Sequence, residues 1–301
     1  MQEPVVSICC LVYNHEPFLR ECFEGFVMQK TTFPIEILVH DDASTDHSAD
    51  IIREYTAKYP DLFKPIYQTE NQYSKGVKVS ATFQFPRAKG KYIALCEGDD
   101  YWTDPYKLQK QVDFLESHPE YSFCAHNAMI CYANGCERKF FNPLLESEVY
   151  TICDIIEKDW FIPTASILFR VNVWAERESN KRFANGDYYL QLLLLCKGEK
   201  MYYSNQVMSV YRKHLGGVSN QFTKFSLFCN LKNLLEYIDE LTNQVYHQQI
   251  DQKIVKLKEQ FLSAQKAERR QNSATYKFLR RVKHIFERIY KFVLKLYLKV
   301  S

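Results

Sequence analysis

The N-terminal third of the chain alternates between two hydrophobic periods, and this alternation constrains the fold more than any other feature. Continuous apolar runs at Val5–Val12, Ile35–Val39 and Tyr92–Cys96 are typical of strands that are covered on both faces. A segment with helical periodicity, Glu16–Gln29, follows the first run. Such alternation predicts an α/β fold with a mostly parallel sheet and helices on both faces.

The remaining pattern extends this fold. Further elements are predicted as a third strand at Phe63–Tyr67, a partly helical stretch at Lys75–Lys89, a helix at Pro105–His118, a hairpin of Tyr121–Tyr132 and Cys136–Phe141 around Asn134-Gly135, strands at Ala165–Phe169 and Met201–Tyr211, and a helix at Gly186–Cys196. No internal repeat is visible.

Polar side chains cluster where the predicted strands end. Tyr13-Asn14 follows the first strand, Asp41-Asp42 the second, and Glu97-Gly98-Asp99-Asp100 the strand at Tyr92–Cys96. Because ligands of open α/β sheets bind beyond the carboxyl ends of the strands, these clusters are predicted to line one site.

The acidic loop Glu97-Gly98-Asp99-Asp100 indicates a divalent cation. Like charges about 4 Å apart repel by about 4 kcal/mol at an effective dielectric constant of 20, and a hard cation removes that cost. Gly98 would let the backbone turn sharply enough to aim Asp99 and Asp100 at one point. The alternative is an ordinary solvated turn, which Tyr101-Trp102 and the second acidic cluster make less favourable.

Charge, cysteine spacing and the lack of long apolar runs argue against a nucleic-acid-binding, a zinc- or disulfide-stabilised and a membrane-spanning protein. A formal net charge of +3 gives no reason to expect a nucleic-acid partner. The 10 cysteines form no Cys-x-x-Cys pair, which favours reduced structural thiols over zinc or disulfides. Met1–Pro4 lacks a basic region and no apolar run reaches about 18 residues, so we expect a cytoplasmic protein, either free or peripheral on the inner face of the membrane.

The character of the sequence changes after Gly216-Gly217. We place a domain boundary near Val218, which separates a catalytic domain at 1–218 from a helical extension at 219–301. Residues 275–301 combine an apolar helical stripe with many lysines and arginines. Such a helix can lie on an anionic membrane, dock on the catalytic domain or pair as a coiled coil. The sequence leaves these three alternatives and the oligomeric state open.

Three sequence blocks carry a family resemblance. Val6 to Glu16 reads VSICCLVYNHE, Val39 to Asp46 reads VHDDASTD, and Gly90 to Trp102 reads GKYIALCEGDDYW. Together they resemble the family 2 glycosyltransferases over roughly residues 4–217. The resemblance implies a GT-A fold and an inverting enzyme of polysaccharide biosynthesis. Its implied donor is a nucleotide-sugar, most often a UDP-sugar, with Mg²⁺ or Mn²⁺, and its implied acceptor is a glycan or a lipid-linked sugar.

The resemblance also assigns roles to residues. It implies nucleotide contacts for Val12, Tyr13, Asn14 and Glu16, and contacts to the base and ribose for Asp41 and Asp42. In the metal loop Glu97 stands where the family usually has aspartate, and Asp99, with Asp100 after it, is read as the direct metal ligand. The family's Arg-Asn pair is absent at 80–82, so Lys75 and Lys78 are the candidate replacements.

The general base and a basic motif complete the implied site. An inverting transfer needs a carboxylate to take the proton of the acceptor hydroxyl. Asn185-Gly186-Asp187-Tyr188 resembles the family's acidic motif before the acceptor-side helix, which implies that Asp187 is the base. The alternative is that Asp187 is only a helix N-cap. Arg212 and His214 match the family's contacts to the pyrophosphate and the metal.

Two other functions compete with this interpretation. A sugar-1-phosphate nucleotidylyltransferase would have a Gly-rich basic loop after the first strand, and residues 12–16 have none. A catalytically inactive module that binds nucleotide-sugars or glycans would bind the donor without turnover.

Overall fold

A computed structural model describes the chain at 2–132, 138–158, 160–175, 183, 185–214, 216–217, 223–271, 277–288 and 290. Its strands are β1 (Val6–Val12), β2 (Ile35–Asp41), β3 (Ile66–Tyr67), β4 (Tyr92–Leu95), β5 (Tyr101–Trp102), β6 (Tyr121–Tyr132), β7 (Arg138–Phe140), β8 (Val149–Tyr150), β9 (Leu168–Arg170) and β10 (Lys200–Lys213). Its helices are α1 (Glu16–Val27), α2 (Ser48–Lys58), α3 (Lys107–Ser117), α4 (Ile152–Glu157), α5 (Val171–Ala175), α6 (Gly186–Leu195), α7 (Lys224–Leu241) and α8 (His247–Gln271), and a further helix spans 277–288.

All strands belong to one sheet, which confirms the predicted α/β fold. The order is β3-β2-β1-β4-β9-β6-β10-β5, with β7 on β6 and β8 on β10. Pairing is parallel from β3 through β4 and again between β6 and β10. The sheet is mixed rather than mostly parallel because β9 enters antiparallel between β4 and β6. The local periodicity of a sequence does not show in which direction two strands pair when they are as far apart in the chain as β4 and β9.

Two hydrophobic cores cover the two faces of the sheet. On one face α1, α2 and α3 pack against the side of β1 that carries Val6, Ile8 and Cys10. On the other face α4 and α6 pack with the inner residues of α7 and α8, including Leu235 and Ile250. The strands of the N-terminal half are therefore buried on both faces, as their continuous apolar runs predict.

Several predicted elements differ in extent. The third strand is reduced to β3, with an isolated bridge from Phe63 to Ile37, because the chain contacts the sheet edge only there. The stretch after Lys75 contains a π-helical turn at Ser80–Gln84 and a 3₁₀ turn at Phe85–Arg87. The strand predicted at 165–169 begins later, as β9, because a 3₁₀ turn occupies Thr164–Ser166. The hairpin of β6 and β7 is confirmed, whereas its turn at 134–135 and the boundary at 218 lie outside the described residues.

The helix at 277–288 is strongly exposed. Its apolar side chains Phe278 and Phe286 are 65% and 67% exposed. Within the described part of the chain, no helix combines the length and the apolar character that crossing a membrane requires.

Gly90 and Gly186 provide a matched test of the packing. A Cβ on Gly90 would lie 2.6 Å from the backbone N of Ser7, whereas a Cβ on Gly186 would meet nothing within 4 Å. We expect Gly90→Ala to destabilise the fold by about 1–3 kcal/mol, because β1 and β4 must move apart. Gly186→Ala should stabilise it by about 0.5–1 kcal/mol by restricting the unfolded chain. Urea titration of both variants measures this, and equal midpoints would contradict the described packing.

Candidate active site

The acidic loop leaves β4 and is fixed by backbone contacts. Gly98 N–H donates to Leu11 O at 2.8 Å, and Asp100 N–H donates to Glu97 O at 3.0 Å. A Cβ on Gly98 would lie 2.8 Å from His15 Nδ1 and 3.1 Å from both Leu19 and Val12. Gly98 is not among the residues with positive φ. The predicted reason for this glycine is therefore wrong: close packing on His15 requires it, and a sharp turn does not.

Asp99 lies between two imidazoles. His214 Nε2 is 2.9 Å and His15 Nε2 is 3.8 Å from Asp99 Oδ2. Burial acts to raise the pKa of Asp99, but the hydrogen bond from His214 and the charges of both histidines outweigh it and lower that pKa. Asp99 Oδ1 is buried and has no hydrogen-bond partner. Asp99 is therefore an ionised carboxylate with one oxygen still available for a ligand.

Asp100 points to a different partner. Its side chain is buried, and Oδ1 accepts a hydrogen bond from the backbone N–H of Arg212 at 2.8 Å. Burial, followed by the charge of Asp99, raises the pKa of Asp100. The two aspartates therefore do not aim at one point: Asp99 contacts histidines, and Asp100 joins the acidic loop to β10.

The Arg212 side chain holds the same loop. Its Nη1 donates to Asp99 O at 2.7 Å, and its Nη2 forms an ion pair with Glu21. The guanidinium lies 4.3 Å from the ring centroid of Tyr101 and 5.2 Å from that of Phe18. These contacts hold the acidic loop against β10, which carries Arg212. His214, just after the end of β10, contacts Asp99.

Asp187 lies at the start of α6, where hydrogen bonds hold its carboxylate. It lies in the first turn of the helix, whose N-cap position is Asn185, and it satisfies a free N–H of that turn as the N-cap alternative expects. Asp187 Oδ1 accepts from Tyr188 N–H at 2.8 Å, and Oδ2 accepts from Trp160 Nε1–H at 2.8 Å. The Asp187 carboxylate therefore has a defined orientation.

Glu97 links the loop to Asp187 electrostatically. Burial, then the charges of Asp99 and Asp187, raise the pKa of Glu97. Although protein atoms surround its carboxyl group, the residue as a whole is exposed to solvent. Contacts also relate the two segments: Trp160 donates to Asp187 and packs on Tyr211, and the next residue, Arg212, donates to Asp99 O.

The segment after β1 is bound to the loop before α2. Asn14, with φ of 57°, accepts from Thr45 N–H at 2.7 Å through its Oδ1. Glu16 Oε2 accepts from His47 N–H at 3.1 Å, and Asp46 Oδ2 accepts from Glu16 N–H at 3.0 Å. Tyr13 remains 45% exposed. Asn14 and Glu16 shape this edge, whereas the Tyr13 ring is available to a ligand.

Asp41 and Asp42 differ in their availability. Asp42 accepts from the backbone N–H groups of Gln72 and Tyr73 at 2.7 and 3.0 Å, so both of its oxygens hold the loop after β3. Asp41 makes one longer contact, from Ser44 N–H at 3.3 Å, and burial raises its pKa. Of the two predicted nucleotide contacts, Asp41 has the greater remaining hydrogen-bonding capacity.

The two candidate lysines lie in the chain after β3. Lys75 forms a surface ion pair with Glu70 and is 49% exposed. Lys78 Nζ lies 6.0 Å from the ring centroid of Tyr189 on α6. Lys78 is therefore placed near the helix that carries Asp187, and Lys75 is held at the surface.

The acidic loop fits a divalent cation that is shared with a substrate. No group of three or more His, Cys, Asp or Glu side chains among the described residues forms a closed metal site. The buried and unpartnered Oδ1 of Asp99 still provides a carboxylate ligand. Magnesium and manganese accept few protein carboxylates and complete their shell with water and phosphate oxygens. The residues therefore fit such an ion held jointly with a diphosphate.

Two site residues had no assigned role in the sequence. His15 lies within the segment at 12–16, but its contact with Asp99 depends on how α1 packs beneath the acidic loop. Trp160 lies in the irregular stretch before β9, where periodicity carries no signal.

The comparisons with known proteins agree with this geometry. Residues 7–180 match the family model described as Glycosyl transferase family 2. The uncharacterized protein Rv1520 of Mycobacterium tuberculosis is 38% identical over 215 residues, which are 71% of this chain and 60% of that protein. The chain thus spans about 60% of the length of this relative. The Escherichia coli protein WfaP, named as UDP-Glc:alpha-D-GlcNAc-diphosphoundecaprenol beta-1,3-glucosyltransferase, is 31% identical over 236 residues, covering 78% of this chain and 86% of WfaP.

Two solved structures share the fold at low sequence identity. S. aureus TarS 1-349 in complex with UDP-GlcNAc superposes with a TM-score of 0.62 at 17% identity, covering 85% of this chain and 71% of that one. The mannosyltransferase PcManGT from Pyrobaculum calidifontis, in complex with GDP-Man and Mn²⁺, has a TM-score of 0.57 at 14% identity and covers 95% and 81% of the two chains.

Proposed function

The chain belongs to glycosyl transferase family 2, and from this premise we propose that it is an inverting transferase that moves a sugar from a nucleotide-sugar to a hydroxyl group in cell-envelope polysaccharide synthesis. The observation that carries the proposal is the meeting of two carboxylates from distant parts of the chain. Asp99 offers an unpartnered oxygen after β4, and Asp187 at the start of α6 is connected to the same loop through Trp160, Tyr211 and the adjacent Arg212.

Asp99 is the proposed ligand of the divalent cation, with His214 and His15 beside it. A bound Mg²⁺ or Mn²⁺ would supply positive charge to the diphosphate of the donor. His214 and His15 keep Asp99 ionised, as its lowered pKa indicates. Arg212 holds the loop backbone through Asp99 O, so the carboxylate is preorganised before the donor binds.

The nucleoside is proposed to bind along the ends of β1 and β2. Tyr13 offers an exposed ring for stacking, and Asp41 can accept hydrogen bonds from the base or the ribose. Lys78 brings a positive charge into the region where relatives of this family have an arginine. A UDP-sugar is the proposed donor because WfaP is named for UDP-Glc and TarS is described with UDP-GlcNAc.

Asp187 is the proposed general base. The acceptor oxygen forms a bond to the anomeric carbon while the bond from that carbon to the diphosphate oxygen breaks. The hydroxyl proton goes to the Asp187 carboxylate, and the electron pair of the broken bond leaves with the diphosphate. Attack on the face opposite the leaving group inverts the anomeric configuration. The proposed acceptor is a sugar on a lipid diphosphate, by analogy with the name of WfaP.

Ligand-dependent stability tests the donor assignment. A UDP-sugar with Mn²⁺ at 100 times its Kd should stabilise the fold by about 2.7 kcal/mol, which thermal unfolding detects as a higher Tm. The effect should fall when EDTA replaces Mn²⁺. The proposal is contradicted if Tm does not rise, with Mn²⁺ or with EDTA, on addition of UDP, GDP, ADP or the sugars of these nucleotides. Binding without release of UDP, even with lipid-linked acceptors, would instead support an inactive binding module.

Membrane contact is proposed for the helix at 277–288. Phe278, Ile285 and Phe286 are 65%, 56% and 67% exposed on a helix that also carries several arginines and lysines. Basic residues beside an anionic surface contribute about 1 kcal/mol each, and the apolar residues can enter the interface. We expect the full chain to sediment with phosphatidylglycerol vesicles and not with phosphatidylcholine vesicles. Equal sedimentation after removal of 275–301 would refute this role.

A further inference from the structure

Three aromatic side chains, one exposed and two half-buried, form a cluster beside Asp187. We define the aromatic cluster as Phe141, Trp160 and Tyr211. Ring centroids are 4.9 Å apart for Phe141 and Trp160, 5.6 Å for Trp160 and Tyr211, and 5.7 Å for Phe141 and Tyr211, all in edge-to-face arrangements. The cluster joins the end of β7, the stretch before β9 and the end of β10.

Trp160 is unusual among the tryptophans of this chain. Trp102 and Trp174 are 1% and 8% exposed, whereas Trp160 is 42% exposed. Packing alone would favour covering so large an apolar ring, which stabilises a fold by about 25 cal/mol for each Å² removed from water. An exposed apolar surface beside a few fixed polar groups is typical of a ligand site.

The polar end of Trp160 is directed to the proposed base. Its Nε1–H, the only hydrogen-bond donor of the side chain, lies 2.8 Å from Asp187 Oδ2. Thr164 Oγ1 is 3.5 Å from the same oxygen. Trp160 therefore connects the apolar surface of the cluster to the carboxylate that receives the acceptor proton.

We propose that the aromatic cluster is the subsite for the acceptor sugar, and that the indole N–H of Trp160 positions Asp187 beside the attacking hydroxyl. This inference rests on the proposed function. A pyranose ring has an apolar C–H face that stacks on aromatic rings and a polar rim that forms hydrogen bonds. A pyranose on the cluster has its rim next to Asp187. The ligand class is thus a terminal pyranose residue of a saccharide.

The cluster also agrees with the position of the donor loop. Tyr211 directly precedes Arg212, whose backbone N–H binds Asp100 and whose side chain binds Asp99 O. The same strand thus carries one wall of the acceptor subsite and a support of the donor loop. Because β10 serves both, an acceptor bound on the cluster lies next to the donor.

Two variants separate the two roles of the cluster. Trp160→Phe keeps an aromatic ring and removes the N–H donor, so it should lower kcat about tenfold and change the acceptor KM less than threefold. Tyr211→Leu removes part of the stacking surface and leaves the N–H in place, so it should raise the acceptor KM about tenfold with little change in kcat. Phe141→Leu repeats the second test at another position in case Tyr211→Leu fails to fold.

The assay uses UDP-sugar donors with octyl glycosides of glucose, galactose, mannose and N-acetylglucosamine, and with N-acetylglucosamine on a decyl diphosphate. Tyr106→Leu is the matched control, since Tyr106 is 48% exposed and lies outside the cluster. Its acceptor KM should be unchanged. Acrylamide quenching of tryptophan emission gives a readout without turnover, because an acceptor on Trp160 should reduce the quenching of the full chain and not that of Trp160→Phe.

The outcomes distinguish this inference from the proposed function. The donor KM should stay within twofold in all cluster variants, because none of the three residues is assigned to the donor site. If donor turnover is intact and the variants leave the acceptor KM and kcat unchanged, the inference is wrong and the proposed function stands. Equal increases in the donor KM and the acceptor KM would indicate that the cluster has only a structural role. If the full chain turns over the donor but transfers sugar to none of these acceptors, the inference is also wrong. If no donor is bound or hydrolysed, the proposed function itself fails.

Discussion

Replacement of Asp187 with asparagine should lower kcat by about 10²–10⁴-fold, the usual contribution of a general base. The amide has the same shape and keeps one oxygen that can accept from Trp160, but its NH₂ group cannot accept from Tyr188 N–H, and the side chain cannot take the proton of the acceptor hydroxyl. The change therefore removes one chemical step while the fold and the donor site remain. UDP release in the presence of a lipid-linked acceptor measures kcat, and thermal shift with UDP-sugar and Mn²⁺ measures binding.

A remote acid provides the control for this variant. Asp251 is exposed on α8 and has no role in the proposed site, so Asp251→Asn makes the same chemical change outside that site. It should leave kcat within twofold. Activity of Asp187→Asn equal to that of the wild type would show that Asp187 is not the base, even if the chain proves to be a transferase.

Replacement of Asp99 with asparagine should lower kcat/KM by about 10²–10³-fold, comparable to the loss of one strong electrostatic contact to a leaving group. The variant should also lose most of the additional stabilisation that Mn²⁺ gives to the complex with UDP-sugar. The physical reason is that a neutral amide no longer offers the charged and otherwise unpartnered oxygen of Asp99. Isothermal titration of Mn²⁺ in the presence of UDP measures the effect.

Asp100→Asn provides an informative comparison in the same loop. An asparagine at this position keeps an acceptor oxygen for the backbone N–H of Arg212. We therefore expect Asp100→Asn to weaken Mn²⁺ binding much less than Asp99→Asn does. A larger loss for Asp100→Asn would mean that Asp100, and not Asp99, is the principal ligand.

The acidic loop and its place in the fold could be predicted from the sequence because both depend on local pattern. Tyr92–Cys96 is apolar throughout, which predicts a strand buried on both faces, and the acids follow it directly. The family resemblance implies Asp187 from the motif at 185–188, which is also local in sequence, and its role as the base stays a prediction. These features require no knowledge of which segments contact each other.

The rest of the site depends on contacts between distant segments. His15 reaches Asp99 only because α1 packs under Gly98, and Trp160 reaches Asp187 only because the stretch before β9 passes the start of α6. Asp42 looked like a ligand contact because it follows β2, yet the backbone of 72–73 takes both of its oxygens. Hydrogen bonds of this kind are set by the tertiary fold and have no periodic signal.

A crystal structure of Asp187→Asn with an intact UDP-sugar and Mn²⁺ tests the central claim most directly, since this variant should hold the donor without consuming it. We predict a cation bound to the Asp99 carboxylate and to the diphosphate, with residue 187 facing the anomeric carbon from the side opposite that diphosphate. A nucleotide bound elsewhere, or a sugar turned away from α6, would contradict the account.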